Sequence, residues 1–266
     1  MTDELDVAVD AAREGGAIAL AHRRHGVLAE WKGVGDVVTA ADRAVQETIV
    51  RAVSEAFGGD AIVGEEGGPA PDEARLRGRR RWYVDPIDGT TNYLKGRHWW
   101  GVSIAFVDVD DRLAAGVVHL PVLGETYAAR RGGGAWRDGE PVRVSSVTDL
   151  AEALCSSGFP GAASMREASE GNLPIWQRVM RRALSVRATG AVAPDWCSVA
   201  CGQADGAWTL GVGRWDIAAG TIIAREAGAR VTDLDGAELD GPATSGVVAA
   251  PGIHDALLAL IRGEGG

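Results

Sequence analysis

Cysteine is scarce in this sequence, whose 266 residues include only Cys155, Cys197 and Cys201. An odd and sparse set of cysteines argues against a framework of disulfides. No stretch approaches the roughly 18 uninterrupted apolar residues that a membrane-spanning helix requires. The first residues are acidic where a secretory signal would be basic. We therefore expect a cytoplasmic protein without a membrane partner.

Positive charge is also in short supply. The 27 Lys and Arg residues face 37 Asp and Glu residues, and the formal net charge is −10, which opposes nonspecific binding to nucleic acid. The basic run 75–81 is interpreted as a solvated loop, with steering of an anionic substrate as the lesser alternative. An anionic ligand would need local positive charge, and a metal cation is its simplest source.

The remaining composition is that of a globular protein. Hydrophobic residues make up 46% of the sequence and charged residues 24%, close to the usual averages. The 37 glycines follow no collagen-like period and predict many tight turns or close backbone approaches. The length fits one large or two small domains.

Helical and strand-like segments mix in both halves of the chain. Residues 1–57 predict two helices, the second introduced by a capping box at Thr39–Asp42. Further helices are predicted at 176–184, 194–201, 216–227 and 254–261. Strands are predicted at 61–63, 82–84, 102–107, 115–120, 125–129, 207–210, 231–234 and 246–250. A seam near 145–150 divides a predicted N-terminal α+β domain, 1–147, from a C-terminal α/β domain, 148–266.

The most informative segment is 83–92, in which a short apolar strand leads to Asp85 and Asp88. Pro86 is expected to end the hydrogen-bond ladder of that strand. No cationic residue lies between the two acids, so their mutual repulsion requires an external positive charge. Carboxylate oxygens without neighbouring His or Cys favour Mg²⁺, Ca²⁺ or Mn²⁺ as that charge.

The residues after Asp88 are suited to bind an anion. Asp88–Gly89 predicts a turn, and Thr90 or Thr91 is expected to cap the helix that follows. The backbone N–H groups of this segment could then point at phosphate oxygens, as they do at the start of many helices.

Two further acidic sites occupy comparable positions. Glu65 and Glu66 follow a predicted strand and are flanked by glycines, and Asp216 stands at the head of an apolar helix. Taken singly, Asp88–Gly89 is most often a turn, Asp216 a helix cap and Glu65–Glu66 a solvated loop. Three such sites in one chain are improbable as independent caps and turns, so together they favour a shared metal site.

Three of these motifs resemble the signatures of the inositol monophosphatase family: Gly64–Glu66, Asp85–Tyr93 and Trp215–Gly220. The resemblance extends from Lys32 to about Gly228. It implies an α/β fold, a layered α/β/α/β/α sandwich of the inositol monophosphatase and fructose-1,6-bisphosphatase type. It also implies a homodimer and Mg²⁺-dependent, often lithium-sensitive hydrolysis of small phosphate monoesters.

The resemblance implies a set of metal ligands. Glu65, Asp85 and the backbone carbonyl of Ile87 would hold a first Mg²⁺ ion. Asp85, Asp88 and Asp216 would hold a second, and Glu65 would help to bind a weaker third ion. Between two and three ions per active site are therefore expected.

The resemblance also implies catalytic and phosphate-binding roles. Thr90, within reach of Glu65 or of Asp42, would orient the attacking water. The backbone amides of Gly89 and Thr90 would hold the phosphate. Two metal ions together can activate water and stabilise the leaving oxygen, so direct attack by water without a phosphoenzyme is predicted.

The substrate contacts depart from the family pattern at one position. Asp88, Asp216 and Gly190 align with residues near the substrate in the family. Thr209 stands where inositol-specific members carry a glutamate that contacts ring hydroxyls, and this exchange removes a charged acceptor. Asp195–Trp196 and Trp99–Trp100 are candidates for new pocket contacts, with burial in the core as the alternative.

The sequence therefore predicts a phosphatase for a small phosphorylated metabolite. Inositol 1-phosphate or a related polyol or sugar phosphate is the leading substrate. Histidinol phosphate and fructose 1,6-bisphosphate are the alternatives, and a nucleotide 3′-phosphate is less favoured. A role as a partner of the transcription machinery is the alternative from another class of function.

Overall fold

The computed structural model describes residues 3–24, 29–33, 36–66, 72–159 and 165–264. Within these ranges the chain forms seven α-helices: α1 (Glu4–Arg24), α2 (Ala40–Ala56), α3 (Thr90–Leu94), α4 (Met165–Met180), α5 (Val192–Ala200), α6 (Arg214–Glu226) and α7 (His254–Arg262). None of them combines the length and apolarity needed to cross a membrane.

The strands of the N-terminal half form a hairpin and a seven-stranded sheet. The hairpin consists of β1 (Ala29–Gly33) and β2 (Asp36–Thr39). The sheet has its strands in chain order: β3 (Ala61–Gly64), β4 (Arg81–Asp88), β5 (Gly101–Val107), β6 (Leu113–Leu120), β7 (Glu125–Arg130), β8 (Gly134–Arg137) and β9 (Glu140–Pro141). Only the β3–β4 pair within it is parallel.

A second, five-stranded sheet follows in the C-terminal half. Its strands are β10 (Leu154–Ser157), β11 (Ser185–Arg187), β12 (Gly206–Thr209), β13 (Arg230–Thr232) and β14 (Gly246–Ala249). They lie in the order β11-β10-β12-β14-β13. Strand β10 runs parallel to both of its neighbours, and β14 runs antiparallel to both of its own.

The helices and the two sheets stack as five layers. Helices α1 and α2 pack on one face of the seven-stranded sheet, and α5 and α6 pack on the other. The same pair α5 and α6 contacts the five-stranded sheet, whose outer face carries α4 and α7. This α/β/α/β/α arrangement confirms the predicted sandwich.

Burial on each side of the sheets explains the periodicity of the helices. In α2, Val45, Ile49 and Val53 are fully buried and recur every four residues along one face. Helix α6 lies so close to β6 that a Cβ atom on Gly116 would come within 2.5 Å of the Ile222 side chain. A residue without a side chain is therefore required there, as the glycine-rich composition led us to expect.

Several predicted boundaries differ from the structure. Strands β1, β2, β8, β9, β10 and β11 were not predicted. The helix predicted at 176–184 is the end of α4, which begins at Met165 and stops at Met180. The predicted division at 147 lies between the two sheets, but one buried cluster joins residues of both, and the two-domain description remains a prediction.

Candidate active site

The two acids of the central motif lie on one face of β4 because the strand contains a bulge. Asp85 pairs with Ser103 and Asp88 pairs with Gly101, so three steps along β4 match two along β5. Ile87 consequently packs in the same buried cluster as Trp82 and Val84 on the opposite face. The expectation that Pro86 ends the ladder is wrong, because pairing resumes at Asp88 after a bulge with one extra residue.

Asp216 completes an acidic cluster with these two residues. It lies in the first turn of α6, the helix that packs on this face of the sheet. One carboxylate oxygen from each of Asp85, Asp88 and Asp216 lies within 4.8 Å of the other two. Asp85 and Asp88 are 1% and 5% exposed. Acids that are distant in sequence therefore share one small buried volume.

Burial and mutual repulsion disfavour the charged forms of these acids. Burial, with the nearby charges of Glu65, Asp88 and Asp216, raises the pKa of Asp85 well above its usual value. Burial, with the nearby charges of Asp88 and Glu65, likewise raises the pKa of Asp216 well above its usual value. Burial raises the pKa of Asp88 to about 7, although backbone amides of Ala193 and Val192 donate to its carboxylate and oppose the shift.

A bound cation would relieve this repulsion. The cluster offers only carboxylate oxygens, with no His or Cys ligand in the group, and hard divalent ions such as Mg²⁺ prefer such ligands. The three residues therefore fit a site for Mg²⁺ or a similar ion.

Glu65 lies beside the cluster at the end of β3. Its backbone amide donates to the carbonyl of Val84 at 3.1 Å, which fixes the start of the loop after β3. A hydrogen bond between the carboxyl groups of Glu65 and Asp85 contributes to the raised pKa of Asp85. Two carboxyl groups can share a hydrogen bond only when one of them is protonated.

Asp42 reaches the site through Thr90. The hydroxyl of Thr90 lies 3.3 Å from a carboxylate oxygen of Asp42 and 3.1 Å from the carbonyl oxygen of Ile87. The other carboxylate oxygen of Asp42 accepts from the backbone amide of Thr39 at 2.9 Å. The predicted capping box is thus confirmed, and the same acid orients a threonine hydroxyl at the edge of the cavity.

Gly89 caps helix α3. Its φ of 90° is in the left-handed region, and no side chain caps the helix, so the expectation that Thr90 or Thr91 would do so is wrong. A Cβ atom at Gly89 would lie 2.9 Å from the Cβ of Ala191 and 3.3 Å from the carbonyl oxygen of Gly190. A glycine is therefore required both by the turn and by the close approach of the loop before α5.

A cavity of about 520 Å³ opens above the acids. Of the predicted site residues, it is lined by Glu65, Asp88, Gly89, Thr90, Gly190, Thr209 and Asp216. Asp85, Ile87 and Asp42 lie behind this wall and do not line the cavity. The fold thus brings every predicted site residue to the cavity or directly behind it.

The aromatic candidates divide differently. Trp100 and Trp196 are buried, and neither they nor Trp99 line the cavity, which favours the core alternative. Phe159 and Val212 line it instead and were not predicted. Phe159 follows β10, which the sequence did not reveal, and no motif marked either residue.

Comparison with known proteins gives a consistent family. The profile of the inositol monophosphatase family matches residues 1–265. An inositol-1-monophosphatase from Mesorhizobium japonicum is 38% identical over 208 residues, 78% of this chain and 76% of that protein. A fructose-1,6-bisphosphatase/inositol-1-monophosphatase from Thermotoga maritima is 33% identical over 98% of this chain and 96% of its own. The solved structure of the extragenic suppressor protein suhB from Bartonella henselae has a TM-score of 0.87 at 30% identity, covering 97% of each chain.

Proposed function

This chain belongs to the inositol monophosphatase family and is a phosphomonoester hydrolase, and we propose that it hydrolyses a polyol or sugar monophosphate by direct attack of water. The observation that carries the proposal is the convergence of Asp85, Asp88 and Asp216 beside a cavity. Enzymes of the family generally depend on Mg²⁺, and this oxygen-only cluster suits that ion.

The proposed ligands follow the positions of the acids. Glu65, Asp85 and the Ile87 carbonyl would hold one ion, and Asp85, Asp88 and Asp216 would hold another. A third, weaker ion would bind at Glu65. When bound, Mg²⁺ would supply the positive charge that neutralises a phosphate dianion and would make water more acidic. The carboxylates bind and orient that charge, and their burial excludes competing water.

Thr90 and Asp42 orient the nucleophile in this proposal. A water molecule donates to the Thr90 hydroxyl, which in turn donates to Asp42, 3.3 Å away. The backbone amides of Gly89 and Thr90 bind the phosphate oxygens. Water forms the new bond to phosphorus as the bond to the leaving oxygen breaks. Overall, one water proton stays on the phosphate and the leaving oxygen gains the other, so the products are the alcohol and inorganic phosphate and no phosphoenzyme forms.

The leaving group would lie against the other wall of the cavity. Thr209, Phe159, Val212 and Trp215 line this region, and none of these four side chains carries a charge. Gly190 leaves space, while Asp88 and Asp216 can accept from substrate hydroxyls. A neutral threonine in place of the family's glutamate weakens selection for inositol, so related polyol and sugar monophosphates belong to the proposed substrate class.

A phosphate-release assay tests the proposal. Purified protein is offered inositol 1-phosphate, histidinol phosphate, fructose 1,6-bisphosphate and adenosine 3′,5′-bisphosphate, each with and without Mg²⁺, and Li⁺ is added to the active combinations. Asp88→Asn is expected to lower Mg²⁺-dependent turnover at least 100-fold. Asp110→Asn, at an exposed acid, is the matched control and should keep full turnover.

Two outcomes would contradict the proposal. Full activity of Asp88→Asn would exclude the proposed ligands, and a covalent phosphoenzyme trapped on an acid would exclude direct attack. If no ester is hydrolysed, co-purification with RNA polymerase at physiological salt would favour the transcription-partner alternative. We also propose that the protein is cytoplasmic and forms a homodimer. Sedimentation can test whether it is a dimer.

A further inference from the structure

Four residues at the cavity wall, of which Asn92 lines the cavity, form a closed ring of hydrogen bonds. The side-chain amide of Asn92 donates to the carbonyl of Trp99 at 2.7 Å and to that of Thr189 at 2.8 Å. One carboxylate oxygen of Asp195 accepts from the Trp99 indole at 2.8 Å and from the Thr189 hydroxyl at 2.7 Å. Trp99 and Thr189 are therefore each held twice, once through the backbone and once through the side chain.

The ring is buried and joins distant parts of the chain. Asn92 is 6% exposed and Asp195 is 4% exposed, so their polar groups depend on these bonds rather than on water. Asn92 and Trp99 belong to α3 and the segment after it, while Thr189 and Asp195 flank the start of α5. Losing one member would leave buried partners unsatisfied.

The ring holds the loop that forms one wall of the cavity. Gly190, Ala191 and Val192 directly follow Thr189 and line the cavity. A Cβ atom at Gly190 would lie 3.3 Å from the Asn92 amide, which shows how tightly the loop is seated. The position of Ala191 against Gly89 is therefore set by the same bonds.

The ring also leads to one of the metal-site acids. The backbone amide of Ala193 donates to a carboxylate oxygen of Asp88 at 2.5 Å. Ala193 lies in the first turn of α5, two residues before Asp195, so a shift of Asp195 moves this donor. The direction in which the Asp88 carboxylate points depends on that donor.

We propose that Asp195 is a positioning residue for the reaction, acting through the Asn92–Trp99–Thr189 ring to hold the 189–192 loop and the Ala193 donor that aims Asp88. Asp195 itself touches neither substrate nor metal in this scheme. For its catalytic consequences the inference rests on the proposed function. Its effect on metal affinity can be measured without any substrate.

The test compares Asp195→Ala with Asp195→Asn. Alanine removes the acceptor and opens the ring, whereas the asparagine carbonyl oxygen can still accept from both Trp99 and Thr189. We expect Asp195→Ala to raise the dissociation constant for Mn²⁺, followed by electron paramagnetic resonance of the free ion, about tenfold. For Asp195→Asn, the dissociation constant for Mn²⁺ should stay within about twofold of that of the unaltered protein, because asparagine keeps both hydrogen bonds of the ring.

Two milder variants allow the same test if Asp195→Ala does not fold. Trp99→Phe removes only the indole N–H, and Thr189→Val removes only the hydroxyl. Each should weaken Mn²⁺ binding less than the alanine variant does, and each should lower kcat more than it raises KM where a substrate is turned over. Adding Trp99→Phe to Asp195→Ala should have little further effect, because the bond is already absent.

A purely structural role predicts a different result. Lower thermal stability of Asp195→Ala and of both milder variants, with unchanged Mn²⁺ affinity, would overturn the proposal. Failure of Asp195→Asn to restore affinity would overturn it as well. If the unaltered protein binds Mn²⁺ but hydrolyses no ester, the proposed function fails while the binding comparison still decides this inference.

Discussion

The buried acids of the active site should lower the free energy of unfolding of the metal-free protein. Asp88→Asn should recover part of that loss. Burial raises the pKa of Asp88 from 3.8 to about 7, which corresponds to about 4 kcal/mol against the charged form. Neighbouring carboxyl groups share the repulsion by taking up protons, so we expect the variant to gain about 2–4 kcal/mol at pH 8. For a chain of this size, that gain corresponds to a rise in Tm of about 4–7 °C.

The sign of the pH dependence follows from the raised pKa. Between about pH 4 and pH 7 the folded protein holds the Asp88 proton that the unfolded chain releases, so metal-free stability falls as pH rises through that range. Asparagine does not titrate, and Asp88→Asn should show a flatter profile.

Thermal unfolding in EDTA from pH 5 to pH 8, repeated with Mg²⁺ at pH 8, measures both effects. Mg²⁺ should stabilise the unaltered protein and barely affect the variant. A metal-free variant that melts below the unaltered protein at pH 8, or one that gains as much from Mg²⁺, would refute the reasoning.

Two further predictions concern the turn after Asp88. Gly89→Ala places a Cβ on a residue in the left-handed conformation, 2.9 Å from the Cβ of Ala191. The variant should lose about 1–3 kcal/mol of stability in urea unfolding, and its rate of phosphate release should fall at least tenfold. Wild-type values in both assays would exclude the tight fit. Thr90→Val removes the hydroxyl that faces Asp42 and Ile87. We expect kcat to fall about 100-fold or more while the affinity for Mn²⁺ stays nearly unchanged. A normal kcat would show that Thr90 does not orient the attacking water.

Strong local signals made most of the fold predictable from the sequence. The capping box and the four-residue repeat of α2 agree with its observed bounds, since both signals arise within one helix. The short strands β10 and β11 were missed because their three or four residues carry no alternation that a sequence pattern can detect. Their position depends on partners elsewhere in the sheet, so the deciding contacts are not local.

The candidate site was predictable for a different reason. Its acids stand next to glycine and proline in short motifs, and the chemistry of these motifs can be recognised from the sequence alone. No sequence motif indicated the contact between Thr189 and Asp195 or the place of Phe159 in the cavity wall. Both depend on how α5 and β10 approach the site in space. The substrate therefore remained the least predictable property.

The bulge in β4 makes the length of this segment as important as its composition. Two acids three positions apart on a regular strand would point to opposite faces, one into each core. The extra residue in the bulge therefore brings two carboxylates with this spacing to the same face of the sheet. A protein with the two acids at the same spacing but with a regular strand there would match the motif by eye and hold its two carboxylates on opposite faces of the sheet.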